Sequence, residues 1–488
     1  MSSPPADHQT SLWNRPSGVR EVLAIALPMV ASTLSWTLMN FIDAMVLFHY
    51  VSPAAMSAQF SATIAWFSAL SLFWGMCSYV STFVSQYQGD GQPRRIGPAV
   101  WQGVWLSVLF APIALAAIPL APSIFHAVHD AKTAELEAQF FQIMCWAAPG
   151  MLAAQALEAF FSGQGRTLVV MAVDGAAVAV NLVLACFLVI GVGGVQSWGF
   201  QGAAWATVIA QWSRVAFYMA IMLSAANRRQ FNTAQAAIDL QLLRRIVRFG
   251  GPSGVQMLLE VGSFAVFVML VGRIGAVERE ATSLVFRISQ LAFMPVWGFG
   301  IATVVLVGQR LGENRPDLAS RAARTTFAIA LTYMGLLSLL FVLAPGVFLR
   351  WFASAELAAA EEALAVRELS LVLMRFVAAY NLFDATLIIF SSVLRGAGDT
   401  KFIMRLSTVS AGVLIAATSA AVELLGVGIH GCWAIITVWI WLLAAAYIVR
   451  YRQGQWRSMR VIDQTHHGAA ATPAGPYPGE LAPAVVRE

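Results

Sequence analysis

Charge is what this chain has least of. Only 11% of its 488 residues are Asp, Glu, Lys or Arg, against 59% hydrophobic. An ordinary soluble domain carries about a quarter charged residues, so a soluble globule is excluded. The net charge of +5 does not point to nucleic acid, because the basic residues fall in loops between apolar runs and form no single patch. Cysteine is scarce. Cys77, Cys145, Cys186 and Cys432 all lie in apolar stretches without metal-ligand spacing, and read as small buried hydrophobes rather than disulfides. The histidines are scattered, and no His/Asp or His/Glu motif with metal spacing occurs in the apolar runs, which argues against a membrane-embedded enzyme. The glycine-bearing segments 86–91, 309–314 and 394–400 lack a following Gly-Lys-Ser/Thr. With no nucleotide-binding domain and no cofactor expected, any pumping must draw on an ion gradient. Residues 1–17 lack an apolar core, so no cleaved signal peptide is expected.

Long hydrophobic runs are abundant. About twelve spans are expected, at 22–48, 58–84, 100–120, 140–161, 168–192, 202–224, 246–271, 281–307, 326–348, 369–394, 403–425 and 431–449. Pro28 and Pro252 fall inside the first and seventh, where a kink or a freed carbonyl is expected. One set of loops holds most of the Arg and Lys, including Arg94, Arg95, Arg228, Arg229, Arg244, Arg245, Arg310 and Arg395. The opposite set holds only Lys132, Arg273, Arg279, Arg350 and Arg367. The positive-inside rule then places both termini in the cytoplasm, and the short loops suit a bacterial inner membrane.

The chain repeats itself. Trp74-Gly75 leading to Gln86 matches Trp297-Gly298 leading to Gln309. Arg20…Pro28 matches Arg244…Pro252. Gly163-Gln164-Gly165-Arg166-Thr167 matches Gly396-Ala397-Gly398-Asp399-Thr400, and Gly199…Gly202 matches Gly428…Gly431. A six-span unit has been duplicated in one orientation, so the halves are expected to be related by an axis along the membrane normal, with the substrate site at their interface. The fold class is therefore all-α and polytopic, with two six-helix lobes. The expected division is a cytoplasmic segment 1–19, an N-lobe 20–225, a cytoplasmic linker 226–242, a C-lobe 243–452 and a disordered cytoplasmic tail 453–488.

Within this apolar background Glu260 and Asp384 stand near the middle of spans seven and ten. An ionisable group at mid-bilayer costs roughly 2.5–3.5 kcal/mol on insertion scales and is by default a functional-site hypothesis. Each could carry a proton, hold sodium or meet a cationic ligand, the alternative being a structural ion pair. Duplication with intramembrane acids points to an alternating-access carrier.

The combination Pro28…Phe41-Ile42-Asp43, Pro252…Glu260, Tyr380…Asp384 and Leu394-Arg395-Gly396-Ala397-Gly398-Asp399-Thr400 resembles multidrug and toxic compound extrusion (MATE) transporters, near the NorM branch. The resemblance covers roughly 20–452. It implies exchange of an amphipathic or cationic drug for protons or sodium, with Asp43, Glu260, Asp384 and Tyr380 in cation coupling. It also implies that Glu260 and Asp384 line one C-lobe cavity where sodium could bind. Two carboxylates close together do not both ionise readily, so they would compete for a shared cation. Tyr380 is one turn from Asp384 and adds an oxygen ligand or is an ordinary buried tyrosine.

Asn181 and Thr207 resemble the family's N-lobe hydrogen-bonding positions, or are packing contacts. Asp174 is a further candidate for that N-lobe network or, as the favoured structural reading, pairs with Arg166; Glu158 is expected to be structural. Arg214, Arg287 and Arg375 depart from the family pattern, and each needs a partner or a wet cavity. Arg287 could occupy the cation's place beside Glu260 or Asp384, which favours a proton over sodium; alternatively Arg287 and Arg375 discriminate ligands by charge. Met39, Asn40, Phe264, Gln290, Phe293, Met294 and Trp297 are candidate cavity residues with cation–π and apolar capacity, or ordinary packing. The expected partners are a small amphipathic or cationic molecule and the bilayer, with a monomeric protein. The runner-up function is a lipid-linked precursor or polysaccharide flippase.

Overall fold

A computed structural model describes residues 13–127, 129–191, 196–352 and 361–463. The expected segment before Trp13 and the tail beyond Asp463 lie outside the described residues. Among those described there is helix and no strand. Ten helices are long and apolar enough to cross a bilayer, or twelve if each of two bent pairs counts as one span.

The first half comprises α1 (Val19–Tyr50), α2 (Pro53–Ser78), α3 (Val80–Gly89), α4 (Ile96–Ala116), α5 (Ala121–His126), α6 (Ala131–Met144), α7 (Ala147–Ser162), α8 (Thr167–Ala185), α9 (Phe200–Met222) and α10 (Ala225–Phe231). The α6–α7 pair is bent by 45° and the α9–α10 pair by 72°. The second half comprises α11 (Leu240–Val271), α12 (Ala276–Gly312), α13 (Pro316–Leu343), the short α14 (Pro345–Phe352), α15 (Glu361–Ala397), α16 (Thr400–Ser419) and α17 (Ile429–Arg452).

Local chemistry sets the helix ends. Ser52 accepts from Ala55 N at 3.1 Å ahead of Pro53, and Asp239 accepts from the amides of Gln241 and Leu242 at 3.0 Å. Pro28 lies within α1 and leaves the carbonyl one turn earlier without its helical donor. Thr167 Oγ1 reaches that carbonyl, on Ala24, at 3.5 Å. Leu109, Leu168, Leu343 and Leu442 point outward and are more than half exposed. Such a surface suits lipid and not water.

The duplication appears as repeated packing. α1 lies on α8 as α11 lies on α16; α4 lies on α7 as α13 lies on α15; α7 lies on α9 as α15 lies on α17. Between the halves, α1 lies on α12 and α2 on α11. Trp74 and Trp297, equivalent in the two repeats, meet with ring centroids 6.5 Å apart, which places them at the pseudo-two-fold axis.

The helices that cross between halves approach to backbone contact. A Cβ on Gly254 would stand 2.2 Å from the Leu72 carbonyl oxygen, and one on Gly89 2.0 Å from that of Gln309. Only glycine allows so close a crossing. At the same end, Gln86 Nε2 donates to Gly396 O at 2.9 Å, and Gln309 Nε2 donates to Gly163 O at 2.9 Å. These are the same bond made twice by repeat-equivalent residues. Arg310 pairs with Glu21 across the halves there as well.

The first and last described segments lie at this face. Ser17 O accepts from Thr325 Oγ1 at 3.1 Å, and Val461 N donates to Gln86 Oε1 at 2.8 Å. Residues 453–463 therefore differ from the disordered tail expected of them. Val461 and Ile462 are buried in the core of the first half, and Trp456 in that of the second. The linker also packs. Trp101 Nε1, Gln102 Nε2 and Trp105 Nε1 on α4 donate to the carbonyls of Thr233, Ala237 and Ala236.

Candidate functional site

Three polar clusters stand inside the bundle. The first joins α1, α8 and α9. Asp43, 2% exposed, accepts from Thr207 Oγ1 at 2.7 Å, and Asn181 Nδ2 donates to that same hydroxyl oxygen at 3.2 Å. Asp43 Oδ1 and Asn181 Oδ1 are buried acceptors without a hydrogen-bond donor. Two unmet acceptors beside a hydroxyl form a donor set suited to a proton or a small cation. The three residues named from sequence here thus come together.

The second cluster lies further toward the terminal face. Arg214 reaches Asp174 at 2.9 Å and Glu158 at 3.3 Å. This corrects the expected Asp174–Arg166 pair. Arg166 instead donates to Asn227 Oδ1 at 3.2 Å and lies over the Phe161 ring, while Arg214, in the later part of α9, brings its guanidinium to Asp174. Side-chain direction across the α8–α9 contact, not nearness in sequence, decides the pairing.

The third cluster lies in the second half. Gln256 Nε2 donates to Glu260 Oε1 at 2.8 Å, one turn apart on α11. Gln256 Oε1 meets Arg395 at 3.5 Å, and the charges of Arg395 and Glu260 interact. Glu260 and, on α15, Asp384 are both half-buried. Tyr380, one turn before Asp384 on α15, is buried, and the Ser289 hydroxyl turns back to Val285 O at 2.8 Å. Arg395, assigned from sequence to a loop, is in the last turn of α15.

Arg287 does not take the cation's place. Its guanidinium lies 4.7 Å over the Phe60 ring of α2, and Glu280 on its own helix is the acid acting on it. The ground for favouring a proton over sodium falls with that contact. Arg375 is exposed on α15.

The candidate cavity residues divide. Phe293 stacks near Trp297 at 6.0 Å, and Trp297 meets Trp74 at the axis. Met294 O accepts from Thr33 across the halves at 3.2 Å. Gln290 is exposed and Phe264 is 38% exposed, its ring edge-on to Phe286. Met39 is buried, and Asn40 turns back to bond Trp36 O. A concavity of about 480 Å³ between α8 and α9 has an apolar lining that includes Leu168 and Phe217 and no acid, so it is separate from these clusters.

Sequence reading missed Gln256, Gln211, Ser32, Tyr218 and Arg395 as members of these clusters. The spacing of Gln256 to Glu260 was a usable signal. The others depend on which helices meet. Among the described residues, no three His, Cys, Asp or Glu side chains stand together as metal ligands.

Fold and clusters define a polytopic two-lobed membrane protein with carboxylates inside both lobes, Asp43 buried and Glu260 and Asp384 half-buried. The MatE family model matches it twice, over residues 28–187 and 252–419, once in each half. The chain belongs to this family, the MATE transporters. It is similar to the multidrug resistance protein MdtK of Proteus mirabilis, at 26% identity over 83% of this chain and 90% of that one. It is also similar to the probable multidrug resistance protein NorM of Shewanella oneidensis, at 25% identity over 92% and 98%. Among solved structures it resembles the eukaryotic MATE transporter AtDTX14, with a TM-score of 0.80 at 22% identity, over 90% of this chain and 96% of that one.

Proposed function

We propose that this protein is a cation-coupled antiporter that exports amphipathic or cationic small molecules from a bacterial cell by alternating access, with both termini cytoplasmic. The observation that carries this reading is a carboxylate on each of two membrane helices of the second half, Glu260 on α11 and Asp384 on α15, alongside the buried Asp43 of the first. The relatives' names, multidrug resistance proteins MdtK and NorM, support the substrate class.

The physics of the cycle follows from the charge. Two ionised carboxylates in an apolar interior repel each other and lack solvation. A proton or sodium ion removes one charge and makes the closed, dry state accessible. A cationic substrate satisfies the same charge, so the two compete, and competition at one site is the basis of exchange. Asp43 with Asn181 and Thr207 supplies a second site of the same kind in the first half. In this conformation the terminal face is sealed by the paired glutamine bonds, so cargo exchange belongs to the opposite face. The flippase reading needs a basic cavity, whereas Arg214 is matched by acids and Arg287 is stacked on Phe60.

Efflux of a fluorescent organic cation from proteoliposomes, under a pH gradient alone and a sodium gradient alone, tests the reading and identifies the ion. Glu260→Gln and Asp384→Asn are each expected to abolish coupled efflux while the protein still folds. Wild-type efflux in both variants would remove the pair from the mechanism.

A further inference from the structure

The first half holds ionisable groups that the cycle above does not use. Glu158 on α7, Asp174 on α8 and Arg214 on α9 have side chains only 8%, 7% and 13% exposed. Their charges do not balance, since two carboxylates face one guanidinium. The hydrogen bonds divide unequally. Asp174 accepts from Arg214 Nε at 2.9 Å, from the Tyr218 hydroxyl at 3.0 Å and from the Ser32 hydroxyl. Asp174 thus has three donors, one of them cationic, to solvate its charge. Glu158 has one longer guanidinium contact, at 3.3 Å. Once Asp174 has matched Arg214, a second negative charge on Glu158 would be buried without a cation, which an apolar interior opposes.

A cavity adds an independent observation. A partly open space of about 40 Å³ is lined by Ser32, Met39, Asp174, Gln211, Arg214 and their neighbours. A water molecule needs roughly 10–15 Å³ of such space and two to four polar partners. Gln211 is fully buried and lines this space. Its Oε1 accepts from Arg214 at 3.1 Å, and its Nε2 has no partner. An unmet donor and a carboxylate therefore face one water-sized hole.

Helix register ties this place to Asp43. Asp174 and Asn181 lie on one face of α8. Arg214, Gln211 and Thr207 lie on one face of α9, and Ser32, Met39 and Asp43 on one face of α1. Met39 lines the cavity and packs against Ala177, Val178 and Ala210 between the two clusters.

We propose that Glu158, Asp174 and Arg214 form a second proton site of the first half, in which Glu158 holds the one proton that charge balance requires and the polar cavity beside Asp174 connects the site to Asp43. The groups facing it are Arg214 and Tyr218 from α9, Glu158 from α7 and, along α1, Asp43 beyond Met39. The proposal adds a site to the cation-coupled reading and rests on that reading only for its part in coupling. The site's existence is tested without transport.

Infrared titration of the purified full-length protein counts protonated carboxyl groups directly. Wild type is compared with Glu158→Gln, Asp174→Asn and Arg214→Gln, in choline chloride and in sodium chloride. Glu158→Gln is expected to lose one protonated-carboxyl band because the group is gone. Asp174→Asn is expected to lose the same band because Glu158 then balances Arg214 and ionises. Arg214→Gln is expected to gain a second band, since both acids lose their cation. A merely structural ion pair, with both acids ionised, would show no band in wild type for either acid variant to lose; a gain in Arg214→Gln without those losses overturns the proposal. A band left intact in either acid variant overturns the proposal, as does a wild-type band that sodium chloride removes at constant pH. Absence of coupled efflux with these band changes present would count against the transport reading alone.

Discussion

Thr207 shows how much one hydroxyl decides. It donates to Asp43, accepts from Asn181 and sits between groups whose other oxygens are unmet. Replacing it with valine keeps the shape and removes the donor, leaving a buried carboxylate oxygen unsatisfied. Thr207→Val is expected to cost roughly 1–3 kcal/mol, read as a lower melting temperature in detergent at neutral pH. Thr207→Ser keeps the donor and should remain close to wild type. Equal melting curves for the two would show the hydroxyl to be idle. Arg214, Arg287 and Arg395 teach the complementary lesson. All three are visible in the sequence as charges near or in apolar runs. Their partners are two acids, a phenyl ring and a glutamine, and nothing in their local spacing distinguishes these outcomes.

At the level of helices, the two copies of the repeat act on each other through equivalent ends. Gln86 of α3 and Gln309 of α12 each hold a glycine carbonyl of the opposite half. The sequence repeat marked these residues, and their reciprocal bonding explains why the motif occurs in both copies. A net hydrogen bond is worth about 0.5–1.5 kcal/mol. Gln86→Ala with Gln309→Ala should therefore shift the balance away from the sealed terminal face by about 1–3 kcal/mol, a factor of roughly 5–150. Spin-label distances between α3 and α12 would lengthen in the double variant. An unchanged distance distribution would mean that the glycine crossings alone hold the face shut.

Across the whole molecule, the segment that follows α17 ties the halves together. Trp456 is buried against the second half, Val461 and Ile462 against the first, and Asp463 pairs with Arg245. That hydrogen bond to Arg245 holds the Asp463 carboxyl below the ordinary carboxylate range. The contribution is therefore present above the usual aspartate pKa and is lost as pH falls through the lowered value. The pair is exposed, so its worth is at most about 1 kcal/mol. Limited proteolysis of the terminal face should show Asp463→Asn slightly more susceptible at neutral pH, with the difference from wild type vanishing in strong acid. A difference that persists there would place the effect elsewhere than in the ionised pair.

The amino-acid order by itself determined the span pattern, the duplication and the presence of Asp43, Glu260 and Asp384 in apolar surroundings. Each of these is written in composition or in periodicity, which a bilayer of fixed thickness reads locally. The tertiary structure alone decided the company each charge keeps. Asp174 pairs with Arg214 and not Arg166, Arg287 lies on Phe60, and residues 453–463 cross between halves. Those outcomes depend on which helices meet and how their side chains point, and a buried charge takes whichever partner that packing brings within reach.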